Sequence, residues 1–305
     1  MGWLADDARM AVQVFFVLGG FFTARHLSRS QPVTLKTVVS TLWSRYRRVG
    51  FPYLATLAIA VAANSLASRW MVHGAIAAPP SFNQLLAHVF FLHDLLGYEP
   101  LSAGIWYLAI DFQLFLLSTV AYFAVSSAAR RRSRNVGPEG MRRLVLCLSP
   151  LAISSLLWFN RDPRFDCFAI YFLGSYFLGI VLNEVLEGRL DLRWGLVYFC
   201  LVLFATWLDP RPRLLVATAT AAIIYLEARR GDLFRWFQNP VTDYLGKISF
   251  SLFLIHYPIL LLVNAWCFRN LALSPRMAIL ALSLAYFLSL MAGTGLHYGV
   301  ERRAH

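Results

Sequence analysis

Gly104-Ile105-Trp106-Tyr107-Leu108-Ala109-Ile110-Asp111-Phe112-Gln113-Leu114-Phe115-Leu116-Leu117-Ser118-Thr119-Val120-Ala121-Tyr122-Phe123-Ala124-Val125-Ser126 carries one charged side chain, Asp111, in an otherwise apolar run. A helix crossing a bilayer needs about 20 mostly apolar residues, so this stretch reads as a membrane span. Comparable runs lie at roughly 8–26, 50–71, 143–160, 167–186, 193–209, 213–228, 248–268 and 277–299. The expectation is an all-α, polytopic helix bundle with about nine transmembrane helices, formed as one domain over residues 1–305. Residues 82–97 are apolar but interrupted by His88, His93 and Asp94, which fits an interfacial or re-entrant segment better than a span.

The whole composition agrees. Of 305 residues 58% are hydrophobic and 14% charged, and the mean hydropathy is +0.57. Soluble domains run near 45–50% apolar and about 25% charged, so water is not the only solvent of this chain. The net charge of +12 raises nucleic acid, a membrane surface or an anionic substrate as partners. Placement decides among them. Twenty of the 28 Lys and Arg residues fall in alternate loops if the segment after the first span is cytoplasmic, in groups such as Arg45, Arg47 and Arg48 or Arg130, Arg131, Arg132 and Arg134. The loops on the other side hold eight. This is the positive-inside pattern, with the N-terminus outside and the C-terminus cytoplasmic. It absorbs most of the basic excess and leaves no soluble basic domain for nucleic acid.

Asp6 and Asp7 precede the first apolar run and Arg25 follows it, the reverse of a secretory signal. Cys147, Cys167, Cys200 and Cys267 sit in apolar runs without metal-ligand spacing and read as small core hydrophobes. No Walker loop, dinucleotide fingerprint, HExxH or GxSxG is present, and no metal site is expected.

Ionisable groups within spans are costly, by about 2.5–3.5 kcal/mol at the centre, which marks each as a functional candidate. Arg45 and Arg48 are three apart at the mouth of the second span, share a helix face, and suit phosphate; a plain positive flank is the alternative. Tyr107, Asp111, Ser118 and Tyr122 make one polar stripe that should face the bundle interior, as a site or as interhelical glue. His256 precedes Pro258, which frees a backbone carbonyl. The imidazole is expected to shuttle a proton, to hold a polar substrate group, or to bond that carbonyl. Glu301, beside Arg302 and Arg303, reads most simply as part of an interfacial ion cluster.

In this order the elements resemble the acyltransferase-3 family, bacterial multi-pass membrane proteins that O-acylate cell-surface polysaccharides and related molecules. Phe15-Phe16-Val17-Leu18-Gly19-Gly20-Phe21 is similar to its FFVLSGF stretch, with Gly19 in place of serine. Arg45-Tyr46-Arg47-Arg48 and Pro52 resemble its RxxR-proline segment, with the proline one residue further on, and Trp106 to Gln113 is similar to its W-x-L-x-x-E element, with Asp111 near the acidic position. Ile248 to Pro258 is similar to ISYSLYLxHxP, and Tyr298 to Arg302 to the closing Y-x-x-E-R/K.

The resemblance implies a donor substrate, acyl-CoA and most simply acetyl-CoA, with no permanently bound cofactor. It implies a hydroxyl acceptor on a cell-surface or lipid-linked carbohydrate, and residence in the bacterial inner membrane, in contact with the lipid bilayer. Arg45 and Arg48 would take the donor's phosphates; His256 and Asp111 are the candidates for catalysis, although His256 belongs to a different motif from the family's catalytic histidine and fits substrate positioning; and Trp106, Tyr107 and Glu301 are candidate substrate-binding residues. The family's catalytic histidine lies on a helix before the FFVLSGF stretch, whereas the fourteen residues before Phe15 hold none. The chain as written therefore lacks the family's first helix, which would bring the spans to ten. An upstream start or a shortened member accounts for this, and the alternative function is a non-catalytic protein that binds or moves a lipid-linked substrate.

Overall fold

The computed structural model describes residues 2–29, 34–132, 137–231, 239–270 and 274–304. Arg134 and Arg235 of the charge census lie outside these, as do the side chains of residues 2–9, Asp6 and Asp7 among them, and of residues 129–138. Among the described residues every regular element is helical: α1 (Gly2–Arg29), α2 (Leu35–Ala67), α3 (Phe82–Val89), α4 (Ile105–Arg132), α5 (Gly137–Leu157), α6 (Ala169–Leu186), α7 (Leu192–Leu208), α8 (Pro212–Arg230), α9 (Pro240–Asn270) and α10 (Pro275–Gly299).

Each expected span is a helix. Seven (α1, α2, α4, α5, α6, α9 and α10) are long and apolar enough to cross a membrane. The shorter apolar α7 is the eighth. The ninth, α8, is diluted by Arg213, Glu227, Arg229 and Arg230 and by a run of Ala and Thr, so the structure counts seven clear spans where the sequence suggested about nine.

The chain divides into two compact units, Met1–Leu42 with Ile110–Trp236, and Trp43–Ala109 with Phe237–His305. In the first, α6 is the central helix, buried on all sides from Tyr171 to Val185. It can be so because α1 approaches it without side chains at the crossing. A Cβ on Gly20 would overlap the backbone carbonyl of Tyr176, and one on Gly179 that of Val17. Small residues at such crossings allow the dispersion contacts that hold helices together where no hydrophobic force acts between them. Phe16 stacks on Phe172 with ring centroids 4.7 Å apart, and Thr23 Oγ1 bonds Tyr176 Oη at 2.6 Å.

In the second unit α9 packs along α10, with Gly293 close against the backbone of Leu252. Ser81 caps α3, its side chain accepting from the Gln84 N–H. This short helix runs beside α2. Tyr46 Oη donates to Val89 O at 3.1 Å, Tyr53 packs on Phe91 with centroids 5.0 Å apart, and Asn64 Nδ2 donates to Leu101 O at 3.2 Å. Tyr46 and Asn64 are 18 residues apart, about 27 Å along the helix. Residues 89–101 thus run alongside α2 from the level of Tyr46 to that of Asn64.

The outer surface is greasy: Trp158, Trp194, Trp207, Ile279, Phe287 and Met291 are all exposed. The cysteines are free, and Cys147 and Cys200 are exposed rather than part of a core. Their apolar runs face outward, where lipid would be.

Candidate functional site

Six of the seven candidate residues, Arg45, Arg48, Trp106, Tyr107, His256 and Glu301, belong to the second unit; Asp111 belongs to the first. In the second unit α9 provides the centre. Pro258 does not end this helix, which continues to Asn270. His256 is half-buried, and its Nδ1 lies 2.7 Å from the carbonyl oxygen of Phe253. A carbonyl only accepts, so Nδ1 carries a proton, and Nε2 is the nitrogen left to carry the lone pair whenever the ring has a single proton. The carbonyl used is that of Phe253, not that of Leu254, the one four residues before Pro258 that the proline frees.

Phe253 also meets the start of α4. Tyr107 stands edge-on to it at 5.9 Å. Gly104 adopts φ +85°, and a Cβ there would lie 3.2 Å from Phe253 Cζ. Glycine therefore supplies both a left-handed turn and a close approach at this point. Trp106 and Tyr107 follow it, both half-buried. Tyr107 and His256 thus flank one phenyl ring, and the structure brings these two motifs together.

Glu301 corrects an expectation. It is buried, accepts from Ser251 Oγ at 2.5 Å and pairs with His297 Nδ1 at 3.0 Å, while Arg302 lies over the ring of Tyr298. Among the described residues Glu301 forms no ion pair with Arg302 or Arg303. The carboxylate turned inward because a buried serine hydroxyl offers it a bond within α9's own motif.

Arg45 is half-buried and Arg48 exposed, one turn apart on α2. Between them Tyr46 reaches to α3. The polar stripe on α4 faces inward as expected: Asp111, Ser118 and Tyr122 are buried. Asp111 lies against α1, where a Cβ on Gly19 would stand 2.8 Å from its Oδ1 and 3.1 Å from Tyr176 Cε2. The departure from serine at Gly19 leaves room for that carboxylate.

Two features escaped the sequence. A cavity of about 440 Å³ lies by the C-terminal end of α2, lined by Asn64, Ser65, Ser68, His73, Pro80 and Leu101 among others. Its lining holds hydroxyls, an amide and an imidazole. Asn64 builds it, bonding Ala77 N through Oδ1 and Leu101 O through Nδ2. The second feature is a buried pair of imidazoles, His88 and His93, stacked at 4.1 Å. Only their interruption of an apolar run signalled them. Among the described residues no group of His, Cys, Asp and Glu could hold a metal ion.

Comparison with curated proteins and with solved structures finds no match. The family model described as an acyltransferase domain, that of acyltransferase-3, matches residues 6–296. Nearly the whole chain, from the glycines of α1 to the helix that ends beside Glu301, thus belongs to the acyltransferase-3 family, as a membrane-type acyltransferase.

Proposed function

We propose that this chain transfers an acyl group, most simply acetyl, from cytoplasmic acyl-CoA to a hydroxyl of a cell-surface or lipid-linked carbohydrate in the bacterial inner membrane. The observation that carries the reading is the setting of His256, whose Nδ1 lies 2.7 Å from Phe253 O, which leaves Nε2 as the nitrogen able to take a proton. Arg45 and Arg48 hold the phosphates of CoA, where two guanidiniums on one helix face form charge-assisted bonds. Trp106, Tyr107 and Glu301 serve the acceptor. The cavity beside α2 is lined mainly by apolar side chains, with Ser65, Ser68 and His73 among its few hydrogen-bonding groups.

In the reaction His256 Nε2 takes the proton of the acceptor hydroxyl as its oxygen attacks the thioester carbonyl. The carbon–sulfur bond then breaks, and the CoA thiolate leaves with the proton returned by His256. An ester and free CoA result. Asp111 is the second ionisable group of the reading, a buried carboxylate within the polar stripe of α4.

The test is direct. Purified protein should bind acetyl-CoA, and Arg45→Ala with Arg48→Ala should weaken binding by at least tenfold. His256→Gln should lower acyl transfer about 10²- to 10⁴-fold, the usual contribution of a general base, with acetyl-CoA affinity unchanged. Acetyl-CoA affinity that ignores both arginines would defeat the donor assignment. Transfer within twofold of wild type in His256→Gln would defeat the base assignment. A protein that binds a lipid-linked glycan but no acyl-CoA would instead be a substrate-handling member of the family.

A further inference from the structure

The second unit contains a buried polar seam to which the chemistry above gives no role. It lies between α2 and residues 88–102. His88 and His93 have no exposed surface, and neither has Tyr53. His88 is satisfied: Nδ1 donates to Gln84 O at 2.8 Å, which leaves Nε2 to accept from Leu101 N at 3.4 Å. Its neighbours are not. Neither ring nitrogen of His93 makes a hydrogen bond, nor does Tyr53 Oη or Ser102 Oγ. Asp94 Oδ2 lies 3.6 Å from His93 Nε2. An imidazolium enclosed without a hydrogen-bond partner would carry the cost of a buried charge, so the ring is neutral. Between the two histidines Phe91 adopts φ 58°, a left-handed conformation unusual for a bulky side chain.

Orphaned buried polar atoms each cost about 1–3 kcal/mol, and backbone strain adds to that. Such costs gather where a ligand later supplies the missing partners. The missing partners here are of one kind. Tyr53 and Ser102 offer O–H donors, His93 offers a lone pair and an N–H, and all are uncharged. An amide has a matching acceptor and donor; a hydrocarbon chain has neither. The seam also begins at the arginines. Tyr46, next to Arg45, donates to Val89 O and stands edge-on to Phe91 at 5.9 Å. Tyr53 lies five residues beyond Arg48, about 7 Å along α2.

On these grounds, and resting on the donor reading above, we infer that the seam formed by Tyr53, His93 and Ser102 is the binding site for the amide-bearing pantetheine arm of acyl-CoA. The phosphates of the donor stay at Arg45 and Arg48, and the arm's two amides pair with the orphaned groups. Entry of the arm parts α3 and its following turn from α2.

Two ligands separate the head of the donor from its arm: acetyl-CoA, and adenosine 3′,5′-bisphosphate, which has phosphates and no arm. Both are titrated into purified full-length protein and into the double variant Tyr53→Phe with His93→Phe, which keeps both rings and removes the polar atoms. Acetyl-CoA affinity should fall on the order of tenfold or more, since each lost hydrogen bond contributes roughly 0.5–1.5 kcal/mol. The bisphosphate should bind as before, and the thermal midpoint without ligand should stay or rise, because the removed atoms had no partners. Unchanged acetyl-CoA affinity overturns the inference. So does equal weakening of both ligands with a lowered midpoint, which would make the seam structural. If the unmodified protein binds neither ligand, the donor reading itself fails first. Tyr53→Phe alone, which deletes one oxygen, keeps the test decisive should the double variant not fold.

Discussion

Single atoms decide the crossing of α1 and α6. A methyl group on Gly20 has nowhere to go, because the carbonyl of Tyr176 fills its place and belongs to the backbone. Gly20→Ala should therefore lower stability by about 3 kcal/mol, the upper range for overpacking, measured as unfolding in mixed detergent micelles. Gly246 lies within α9 with nothing near its Cβ position. Gly246→Ala should be neutral or stabilise by roughly 0.5–1 kcal/mol through chain entropy. The same substitution thus has opposite signs at two glycines that look alike in sequence. Gly19 is an intermediate case, held small by the buried carboxylate of Asp111.

At the scale of elements, α9 is clasped to the end of α10 by Ser251, Glu301 and His297. Removing the serine hydroxyl strips a buried carboxylate of its closest donor. Ser251→Ala should cost about 1–3 kcal/mol, visible as a lower melting midpoint, with more damage than from an exposed serine such as Ser249.

For the molecule as a whole, the charge census proposes an orientation that labelling can check. Gly74 has open space around it and Glu187 is exposed. A membrane-impermeant maleimide should modify Gly74→Cys in intact cells and Glu187→Cys only after permeabilisation. The native Cys147 and Cys200 are outward-facing on apolar helices. In membranes they should resist this reagent, since an impermeant maleimide does not enter hydrocarbon, and react once the protein is denatured. The reverse pattern at Gly74 and Glu187 would invert the proposed topology and move Arg45 and Arg48 away from cytoplasmic donor.

Apolar runs near 20 residues long, one inward polar stripe on α4 and an alternating basic census are local quantities, and the sequence by itself determined them. It also held the family's motifs in order, and with them the membrane acyltransferase. Tertiary structure alone decided which groups those motifs meet. The linear sequence placed Glu301 beside two arginines, yet its partners lie on α9 fifty residues back and one turn away on α10. It marked His88 and His93 only as blemishes in an apolar run; stacking them beneath α2 required a turn with a left-handed phenylalanine. The lone pair of His256 likewise depends on which carbonyl its other nitrogen found. A bilayer specifies helix length and apolar content residue by residue, whereas hydrogen bonds inside it are chosen among distant partners by geometry.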